Sequence, residues 1–600
     1  MGSQRVNAVV APGVRRGPFL LALLGLAALN VLLFIPGFAT LEPRPALTPF
    51  FPTEHPHGPY GFDLRSVWEY AKALGLRRAN LDPFRLSIEL CLLTALTLWW
   101  PTARWLRRLT AGWFGLTLLL LTYHHVFQGF FLRPAALWED WRLLRNLFHY
   151  VTDQWSWRLA GLVVGGAFAW ALLMVALSLA LGTLCHGASR VSRLAALALT
   201  LYALGSLAWF GPSRGDPVSQ LVSRPLAENL RVSLVRKREF EALAEGDPDP
   251  RYLAFSKVRL ARKPNVALMM LEAYGELAVA CDTGPAYRVL MQRMEQRLER
   301  SGYHVRSAWS RAPVYGGQSW LSIASVQLGM RVDTVRKYEL VENESARAPS
   351  LTRFFKEQGY FTAAVQPGNN VRTGLKKFDP YNRELVIDAP ELAYTGLRYG
   401  WQGIPDQYTL GLIGELLPTL RQPWLLFSMS VSTHHPWDAP FVYVNDWRAL
   451  QDPALDTASV AAPWDPIEEK AGIGEERRGY FRTVEYEWRG LAQLMESETR
   501  DDTVFILLGD HQPKLPCDGG KAVSWNTPLH VISRDAALLE RFGEHGFVPG
   551  LVAPVGERPP FTHEGLFSLF VKVFTSTWGD DAQVTVDVAP EGISLGSLYR

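Results

Sequence analysis

The sequence has no excess of charge of either sign and very little cysteine. Its 61 Lys and Arg residues almost balance 58 Asp and Glu residues, which leaves a formal net charge of +3, and the basic residues form no stripe. Proteins that bind nucleic acids neutralise phosphates with clustered cations, so the sequence argues against a nucleic-acid partner. With 600 residues the chain is too long for one hydrophobic core, and we expect several structural units.

The apolar residues are concentrated in the first third of the chain. Five apolar segments there are long enough to cross a bilayer, at about 17–40, 84–103, 109–131, 159–184 and 192–212. No small-x-small cleavage site follows the first segment cleanly, so we interpret it as a membrane span and not as a cleaved signal peptide. The sequence thus predicts an N-terminal bundle of five transmembrane helices.

The loops between these segments indicate the orientation of the bundle. Three arginine clusters fall on one side of it: Arg5, Arg15 and Arg16; Arg104, Arg107 and Arg108; Arg190 and Arg193. Because positively charged loops stay in the cytoplasm, the chain after about residue 213 is predicted to lie outside it. We therefore divide the chain into a transmembrane domain (1–212), a juxtamembrane linker (213–262) with a helix at about 225–245, and an outer domain (263–600).

The most informative stretch of the outer domain is TVFILLGDH, at Thr503–His511. Its apolar run predicts a buried strand of a parallel sheet, and the strand ends in Asp510 and His511. In open α/β sheets, ligands bind at this end of the strands. Neighbouring residues of a straight strand point to opposite faces, so both side chains can meet one ion only if the backbone turns, as Gly509 permits.

Other predicted strands of this domain also end in polar residues. The apolar run Asn265–Ala273 carries Glu272 at its end, although a solvated glutamate that starts a helix is the alternative interpretation. The strand at 424–431 is followed by His434 and His435, and the strand at 360–366 is followed by a polar loop, 367–372. Further strands are predicted at 302–310 and 527–533, and helices at 350–358, 405–420 and 475–498. This alternation predicts a mostly parallel sheet flanked by helices.

A serine follows a pair of glycines in the segment YGGQSW. Gly316 and Gly317 lie just before Ser319, and the apolar periodicity that begins at Leu321 predicts a helix. Ser319 is therefore expected at a helix N-terminus, where free N–H groups favour an anion. The alternative is an ordinary N-cap serine. Because the predicted strand and loop ends carry Glu, Ser, His and Asp-His, we expect them to converge on one site.

These motifs resemble the membrane-bound branch of the alkaline phosphatase/sulfatase superfamily, which includes lipoteichoic acid synthase and periplasmic phosphoglycerol and phosphoethanolamine transferases. The resemblance covers the membrane architecture and ordered motifs through 265–575. It is carried by LEAY with Glu272, GGQSW with Ser319, STHHPW with His434, and LLGDHQP with Asp510 and His511. The arylsulfatase signature, Cys or Ser followed by x-Pro-x-Arg, is absent at 319–323.

The resemblance implies a role for each of these residues. Glu272, Ser319, Asp510 and His511 would hold one divalent metal ion, Mn²⁺ or Zn²⁺. Ser319 would be the nucleophile, with Ser322 as a second candidate one turn on, and His434 would bind the phosphate or protonate the leaving oxygen. Asn369, Arg372 and His435 are the candidates for substrate binding, but the family's headgroup loop aligns only loosely here.

The implied activity is transfer of a phospho-headgroup, phosphoglycerol or phosphoethanolamine, from a membrane phospholipid to an envelope glycan or lipid. The implied location is the bacterial plasma membrane, with the catalytic domain on the periplasmic side. A membrane-anchored phosphodiesterase or sulfatase-like hydrolase would use the same residues, with water as the acceptor. A module that only binds is the third hypothesis, and metal analysis would distinguish it from both enzymes.

Two cysteines of the outer domain each follow a candidate metal ligand in the sequence. Cys281 follows Glu272 by nine residues, and Cys517 follows His511 by six. If both strand ends border one site, the two thiols lie on the same rim and can pair in an oxidising compartment. Two free thiols are the alternative.

Overall fold

The computed structural model describes most of the chain. The described residues are 16–39, 86–131, 133, 135–141, 157–186, 190–210, 221–245, 255, 257–344, 349–369, 379–398, 403–437, 442–457, 459–463, 467, 472–517, 523–554, 559–580 and 586–593. They form two compact units that divide between Arg236 and Lys237.

The first unit is helical. Its helices are α1 (Arg16–Ala39), α2 (Ile88–Trp99), α3 (Arg104–Phe131), α4 (Trp157–His186) and α5 (Arg190–Phe210), and α6 (Ser223–Glu245) begins in this unit and extends past the division. The core between them includes Leu33, Phe114 and Leu181, from α1, α3 and α4. Helix α2 begins where the Ser87 hydroxyl accepts a hydrogen bond from the Leu90 amide. Helix α6 corresponds to the helix predicted in the linker.

A helix is present at each of the five predicted membrane segments, but they differ in hydropathy. Among the described residues, two stretches are long and apolar enough to cross a membrane, Leu20–Gly37 in α1 and Val164–Cys185 in α4. Helix α2 and the stretch Ser192–Gly205 of α5 are apolar but shorter. Helix α3 is long, but its second half carries Thr122, Tyr123, His124, His125 and Gln128, which lower its hydropathy. Length and composition alone therefore support two of the five predicted spans.

The second unit is an α/β domain built on a nine-stranded sheet. The strands are β1 (Asn265–Leu271), β2 (His304–Arg311), β3 (Phe361–Gln366), β4 (Leu385–Asp388), β5 (Trp424–Met429), β6 (Thr503–Gly509), β7 (Asn526–Ser533), β8 (Val548–Pro549) and β9 (Phe561–Thr562). The helices are α7 (Leu277–Ala280), α8 (Gly284–Arg300), α9 (Ser319–Leu328), α10 (Val335–Glu344), α11 (Leu351–Glu357), α12 (Asp406–Leu416), α13 (Glu475–Ser497), α14 (Ala536–Gly543) and α15 (Leu566–Trp578).

The central strands are buried on both faces. In β1, Ala267, Met269 and Leu271 belong to the hydrophobic cluster on one side of the sheet. Val266, Leu268 and Met270 belong to the cluster on the other side. This burial explains why β1, β5 and β6 read in sequence as continuous apolar runs without alternation.

The sheet is mixed, whereas the sequence predicted a mostly parallel sheet. The order is β4-β3-β5-β1-β6-β7-β2-β8, and β9 pairs with β2. The pairs from β4 to β6 are parallel, whereas β7 is antiparallel to β6 and to β2. No helix is described between β6 and β7, and a parallel neighbour requires a long crossover, so β7 returns beside β6 in the opposite direction. The parallel half contains the strands whose ends the sequence singled out.

The predicted pairing of the outer cysteines is present in the structure. Cys281 and Cys517 form a disulfide that joins positions 236 residues apart, and their Cα atoms are 5.3 Å apart. The other two cysteines, Cys91 and Cys185, are free and buried. The disulfide links the segment after β1 to the segment after β6, so it joins the two stretches of chain that follow Glu272 and His511.

We expect thiol labelling of the unfolded protein to find two reactive cysteines before reduction and four after it. A disulfide that closes so long a loop stabilises the fold by about 2–5 kcal/mol, so reductant should also lower the melting temperature. The variant Cys281→Ser should show three reactive thiols without reduction, because it releases Cys517. Four reactive thiols in the unreduced wild-type protein would contradict the pairing.

Candidate active site

Three parallel strands deliver polar residues to one edge of the sheet. Strand β1 pairs with β6 in a register that places Leu271 beside Gly509. It also pairs with β5, with Met270 beside Met429. The next residues of the three strands therefore emerge together at the carboxyl edge, where ligands bind in α/β sheets.

Glu272, Asp510 and His511 come together at this edge. One ligand atom from each lies within 4.8 Å of the others, and all three side chains are buried. His511 Nε2 is 3.5 Å from Glu272 Oε1 and 3.3 Å from Asp510 Oδ2. Of the described residues, this is the one group of three or more His, Cys, Asp or Glu side chains with this spacing.

The backbone turns directly after β6, as the sequence analysis required. Asp510 Oδ1 accepts hydrogen bonds from the His511 amide (2.6 Å) and from the Ala273 amide (2.8 Å). A side chain at Gly509 would place its Cβ 1.8 Å from the Tyr274 carbonyl oxygen, so only glycine allows the two strand ends to approach this closely.

The cluster is suited to a divalent metal ion. Asp510 Oδ2 is buried and has no hydrogen-bond partner among the described residues, which is costly unless a cation contacts it. The His511 Nδ1–H group donates to the Gln512 carbonyl oxygen (2.9 Å), so the lone pair of Nε2 is available for coordination. Two carboxylates and one imidazole are ligands for Zn²⁺ or Mn²⁺.

The pKa of Glu272 is raised well above its ordinary value. Burial is the larger cause and the negative charge of Asp510 the next, whereas the hydrogen bond from Ser319 lowers the pKa. A cation at the cluster would offset both unfavourable effects, because it would replace the proton that Glu272 otherwise tends to keep.

Ser319 lies over this cluster. Its Oγ donates to Glu272 Oε2 (3.1 Å) and is 3.4 Å from His511 Nε2. Gly316, Gly317 and Gln318 all have positive φ angles, and helix α9 begins at Ser319 itself. Because the N-cap residue is Gln318, and the Ser319 hydroxyl contacts Glu272 and His511, the interpretation as an ordinary N-cap serine does not hold.

Ser322, the second candidate nucleophile, occupies a different position. It is fully buried, and its hydroxyl donates to the Asp510 carbonyl oxygen (2.7 Å). Its side chain thus supports the backbone of a candidate metal ligand, whereas the hydroxyl of Ser319 contacts the ligand side chains.

The remaining candidates are distributed around the edge. His434 is half-buried, and its Nδ1 lies 2.5 Å from the His435 carbonyl oxygen. Burial is the main cause that lowers the pKa of His434; the nearby His511 lowers it further, and Asp510 raises it. His435 is exposed and its ring packs edge-on against Trp437.

Asn369 is exposed beyond β3, where its amide lies 3.4 Å from Asp388 Oδ1. Arg372 lies outside the described residues.

Sequence reasoning missed the residues that hold Glu272 in place. The Glu272 amide donates to Ser430 Oγ (2.8 Å), and the Thr433 hydroxyl donates to the Glu272 carbonyl oxygen. The carboxylate of Asp406, at the start of α12, accepts hydrogen bonds from the Val431 and Ser432 amides (2.7–3.1 Å). The polar run SVSTHH after β5 was the available signal, but only its two histidines were predicted as site residues.

His563 was also missed. It is fully buried behind β6, where Nε2 donates to the Gly509 carbonyl oxygen (3.1 Å) and Nδ1 lies 2.8 Å from Ser310 Oγ. Burial lowers the pKa of His563 to about 3, so the ring is neutral and fixes the turn that carries Asp510. A lone histidine far from the other motifs gives no signal in the sequence.

Residues 320–534 match a family model that is described as Sulfatase. This segment of the chain is therefore similar to the sulfatase family. The match includes His434, Asp510 and His511 and begins one residue after Ser319. The resemblance to sulfatases that the motifs indicate is confirmed over this segment. No curated protein matches the chain in sequence.

Three of the solved structures that are similar to this chain share 11–12% sequence identity with it. The first is the lipoteichoic acid synthase LtaP from Listeria monocytogenes, with 12% identity and a TM-score of 0.33, and the match covers 60% of this chain and 81% of that chain. The second is the C-terminal periplasmic domain of EcEptC from Escherichia coli in complex with Zn, with 12% identity and a TM-score of 0.34, and the match covers 55% of this chain and 88% of that chain. The third is the Streptococcus pyogenes phosphoglycerol transferase GacH in complex with sn-glycerol-1-phosphate, with 11% identity and a TM-score of 0.35, and the match covers 61% of this chain and 90% of that chain.

Proposed function

We propose that this protein transfers a phospho-headgroup, phosphoglycerol or phosphoethanolamine, from a membrane phospholipid to an envelope glycan or lipid through a phospho-serine intermediate. The observation that carries the proposal is the Ser319 hydroxyl, 3.1 Å from Glu272 Oε2 and 3.4 Å from His511 Nε2 above three buried ligand groups. A serine hydroxyl in contact with a metal-binding cluster is the arrangement that activates a nucleophile.

Glu272, Asp510 and His511, with the hydroxyl of Ser319, would hold one Zn²⁺ or Mn²⁺ ion. When bound, the ion would lower the pKa of the serine hydroxyl and polarise the phosphoryl oxygen. Ser319 would lose its hydroxyl proton and Oγ would form a bond to phosphorus as the bond to the lipid oxygen breaks, and diacylglycerol would leave once that oxygen gains a proton. His434, whose Nδ1 faces the His435 carbonyl oxygen, would present Nε2 to the phosphate or give a proton to the leaving oxygen.

In the second half of the reaction, an acceptor hydroxyl would attack phosphorus and release Ser319. Ser319 is half-buried, and Trp320 beside it is 39% exposed, so the nucleophile is accessible from one side. The same opening admits water, which would give a hydrolase. The nature of the released headgroup product therefore distinguishes the two activities.

We expect phosphatidylglycerol or phosphatidylethanolamine, labelled in the acyl chain, to yield labelled diacylglycerol when mixed with the purified protein and Mn²⁺ or Zn²⁺. Comparing the two lipids identifies the donor. Free glycerol phosphate or phosphoethanolamine in the absence of an acceptor would indicate hydrolysis. If neither lipid yields diacylglycerol in the presence of either metal, the proposed donor class is wrong.

The proposal includes a multi-pass location in the bacterial plasma membrane, with the catalytic domain on the periplasmic side. Its support is the apolar helices of the first unit and the arginine clusters between them. A phosphatase reporter that works only outside the cytoplasm should be active when fused after Arg600. The matched fusion after Arg108, in a loop predicted to be cytoplasmic, should be expressed but inactive. An inactive, well-expressed fusion after Arg600 would contradict the orientation.

A further inference from the structure

The turn that follows Glu272 contains a strained residue. Ala273 has a φ angle of 48°, a left-handed conformation that is unfavourable for alanine because its Cβ crowds the following carbonyl oxygen. Among the described residues, three other non-glycine residues have a positive φ, and one of them, Gln318, directly precedes Ser319. Such strain persists only where the surrounding structure imposes it, so other groups must hold Ala273 in this conformation.

The conformation of Ala273 determines how two candidate metal ligands lie relative to each other. The Ala273 amide donates to Asp510 Oδ1 (2.8 Å), and it shares one rigid peptide plane with the carbonyl group of Glu272. A change of the Ala273 φ angle towards ordinary negative values would rotate this plane and move the amide away from Asp510. The left-handed turn therefore sets the position of Glu272 relative to Asp510.

One hydroxyl group bridges the other end of the turn. Tyr480, on α13, is fully buried, and its hydroxyl donates to the Ala273 carbonyl oxygen (2.9 Å). The same hydroxyl oxygen accepts a long hydrogen bond from the Gly275 amide (3.5 Å). The turn is thus fastened to a side chain that comes from a helix, 207 residues further along the chain.

The ring of Tyr480 provides a second connection to Glu272. It packs edge-on against Trp437, with the ring centroids 5.6 Å apart. Trp437 Nε1 donates to the Thr433 carbonyl oxygen (2.8 Å), and the Thr433 hydroxyl donates to the Glu272 carbonyl oxygen. Tyr480 therefore supports the peptide between Glu272 and Ala273 through its hydroxyl and through its ring.

We propose that Tyr480 is a positioning residue for the metal site: its hydroxyl holds Ala273 in the left-handed conformation that places Glu272 and Asp510 around one ion. This inference rests on the proposed metal site and not on the identity of the lipid donor. The hydrogen bonds of Tyr480 go to the backbone of the turn, so it acts through Ala273 and not on the substrate. Residues that orient metal ligands typically contribute about 10–100-fold in metal affinity.

The test measures the metal affinity of the full-length protein, purified in detergent, by calorimetric titration of the metal-free form with Mn²⁺ and with Zn²⁺. Tyr480→Phe removes only the hydroxyl and should weaken binding about 10-fold, because the buried Ala273 carbonyl loses its donor and the turn relaxes. Tyr303→Phe is the matched control and should bind as the wild type does. Tyr303 is buried just before β2, at the end of the sheet opposite the cluster, and its hydroxyl donates to the Met495 carbonyl oxygen (3.1 Å).

A second substitution distinguishes positioning from a general role in packing. Glycine adopts a positive φ without steric cost, so Ala273→Gly should keep the turn in place when the hydroxyl is missing. In the Ala273→Gly background, Tyr480→Phe should therefore weaken metal binding by no more than about threefold. A hydroxyl that only stabilised the packing would lower the melting temperature equally in both backgrounds and leave metal affinity unchanged.

Unchanged metal affinity in Tyr480→Phe would overturn the positioning role. An equal loss of affinity in both backgrounds would also overturn it, since Tyr480 would then act independently of the strained turn. A wild-type protein that binds neither ion would refute the proposed metal site and the inference with it. If Tyr480→Phe fails to fold, recovery of folding and metal binding on adding Ala273→Gly would support the proposal, and a failure to recover would contradict it.

Discussion

Replacing Ser319 with alanine should reduce turnover by at least about 10³-fold, because it removes the covalent route and not a single contact. The fold should survive, since the hydroxyl contacts the ligand side chains and does not cap the helix. Metal content should remain close to that of the wild type, because Glu272, Asp510 and His511 still supply three ligands and water can take the fourth position. Turnover and bound metal are measured on the same preparation.

The other serines of helix α9 provide matched controls. Ser325→Ala removes a hydroxyl that bonds to the Leu321 and Val332 carbonyl oxygens, so it reports the general cost of such a change in this helix. Ser322→Ala removes the support of the Asp510 carbonyl and should lose activity only in part. Ser319→Thr keeps a hydroxyl and should retain some activity if the pocket tolerates a methyl group. Full activity of Ser319→Ala would contradict the mechanism.

Removal of the metal should have an effect as large as loss of the nucleophile. A chelator should abolish turnover and lower the melting temperature, and Mn²⁺ or Zn²⁺ should restore both, because an ion that binds only the folded state stabilises it. Asp510→Asn should lose turnover together with bound metal, which distinguishes it from Ser319→Ala. Activity that persists after complete removal of divalent ions would contradict the assignment of the cluster.

The same cluster determines how the metal-free protein responds to pH. The pKa of Glu272 is raised by burial and by Asp510, so between its unfolded and folded values the folded state holds more protons than the unfolded state. Stability of the metal-free protein should therefore fall as pH rises above the ordinary range of a glutamate. The bound ion should weaken this fall, and metal affinity should increase with pH. Melting curves of both forms at constant NaCl measure these trends.

The buried strands could be predicted from sequence because their chemistry is local. The strands predicted at 265–273, 424–431 and 503–511 begin where β1, β5 and β6 begin and extend two residues beyond the end of each. Their parallel register then brings Glu272, Asp510 and His511 together, so the candidate ligands follow from strand ends alone. The antiparallel position of β7 could not be predicted, because it depends on a return connection whose direction the sequence does not encode locally.

The supporting residues could not be predicted for a different reason. Ser430 holds the amide of a residue 158 positions away, and His563 holds a carbonyl 54 positions away. Both bonds involve the backbone of the partner, so no pattern of residue types marks them. Tyr480 looked like a helix residue among charges, RRGYFR, and its burial appears only once α13 packs against the sheet.

The most direct test of the account is to trap the intermediate. The protein is mixed with donor lipid labelled in the headgroup phosphate, quenched in acid within one turnover and fragmented by mass spectrometry to locate the modified residue. We predict the label on Ser319 in the wild type and in Ser325→Ala, and none in Ser319→Ala. Label on Ser322, or diacylglycerol release without any labelled serine, would contradict transfer through Ser319.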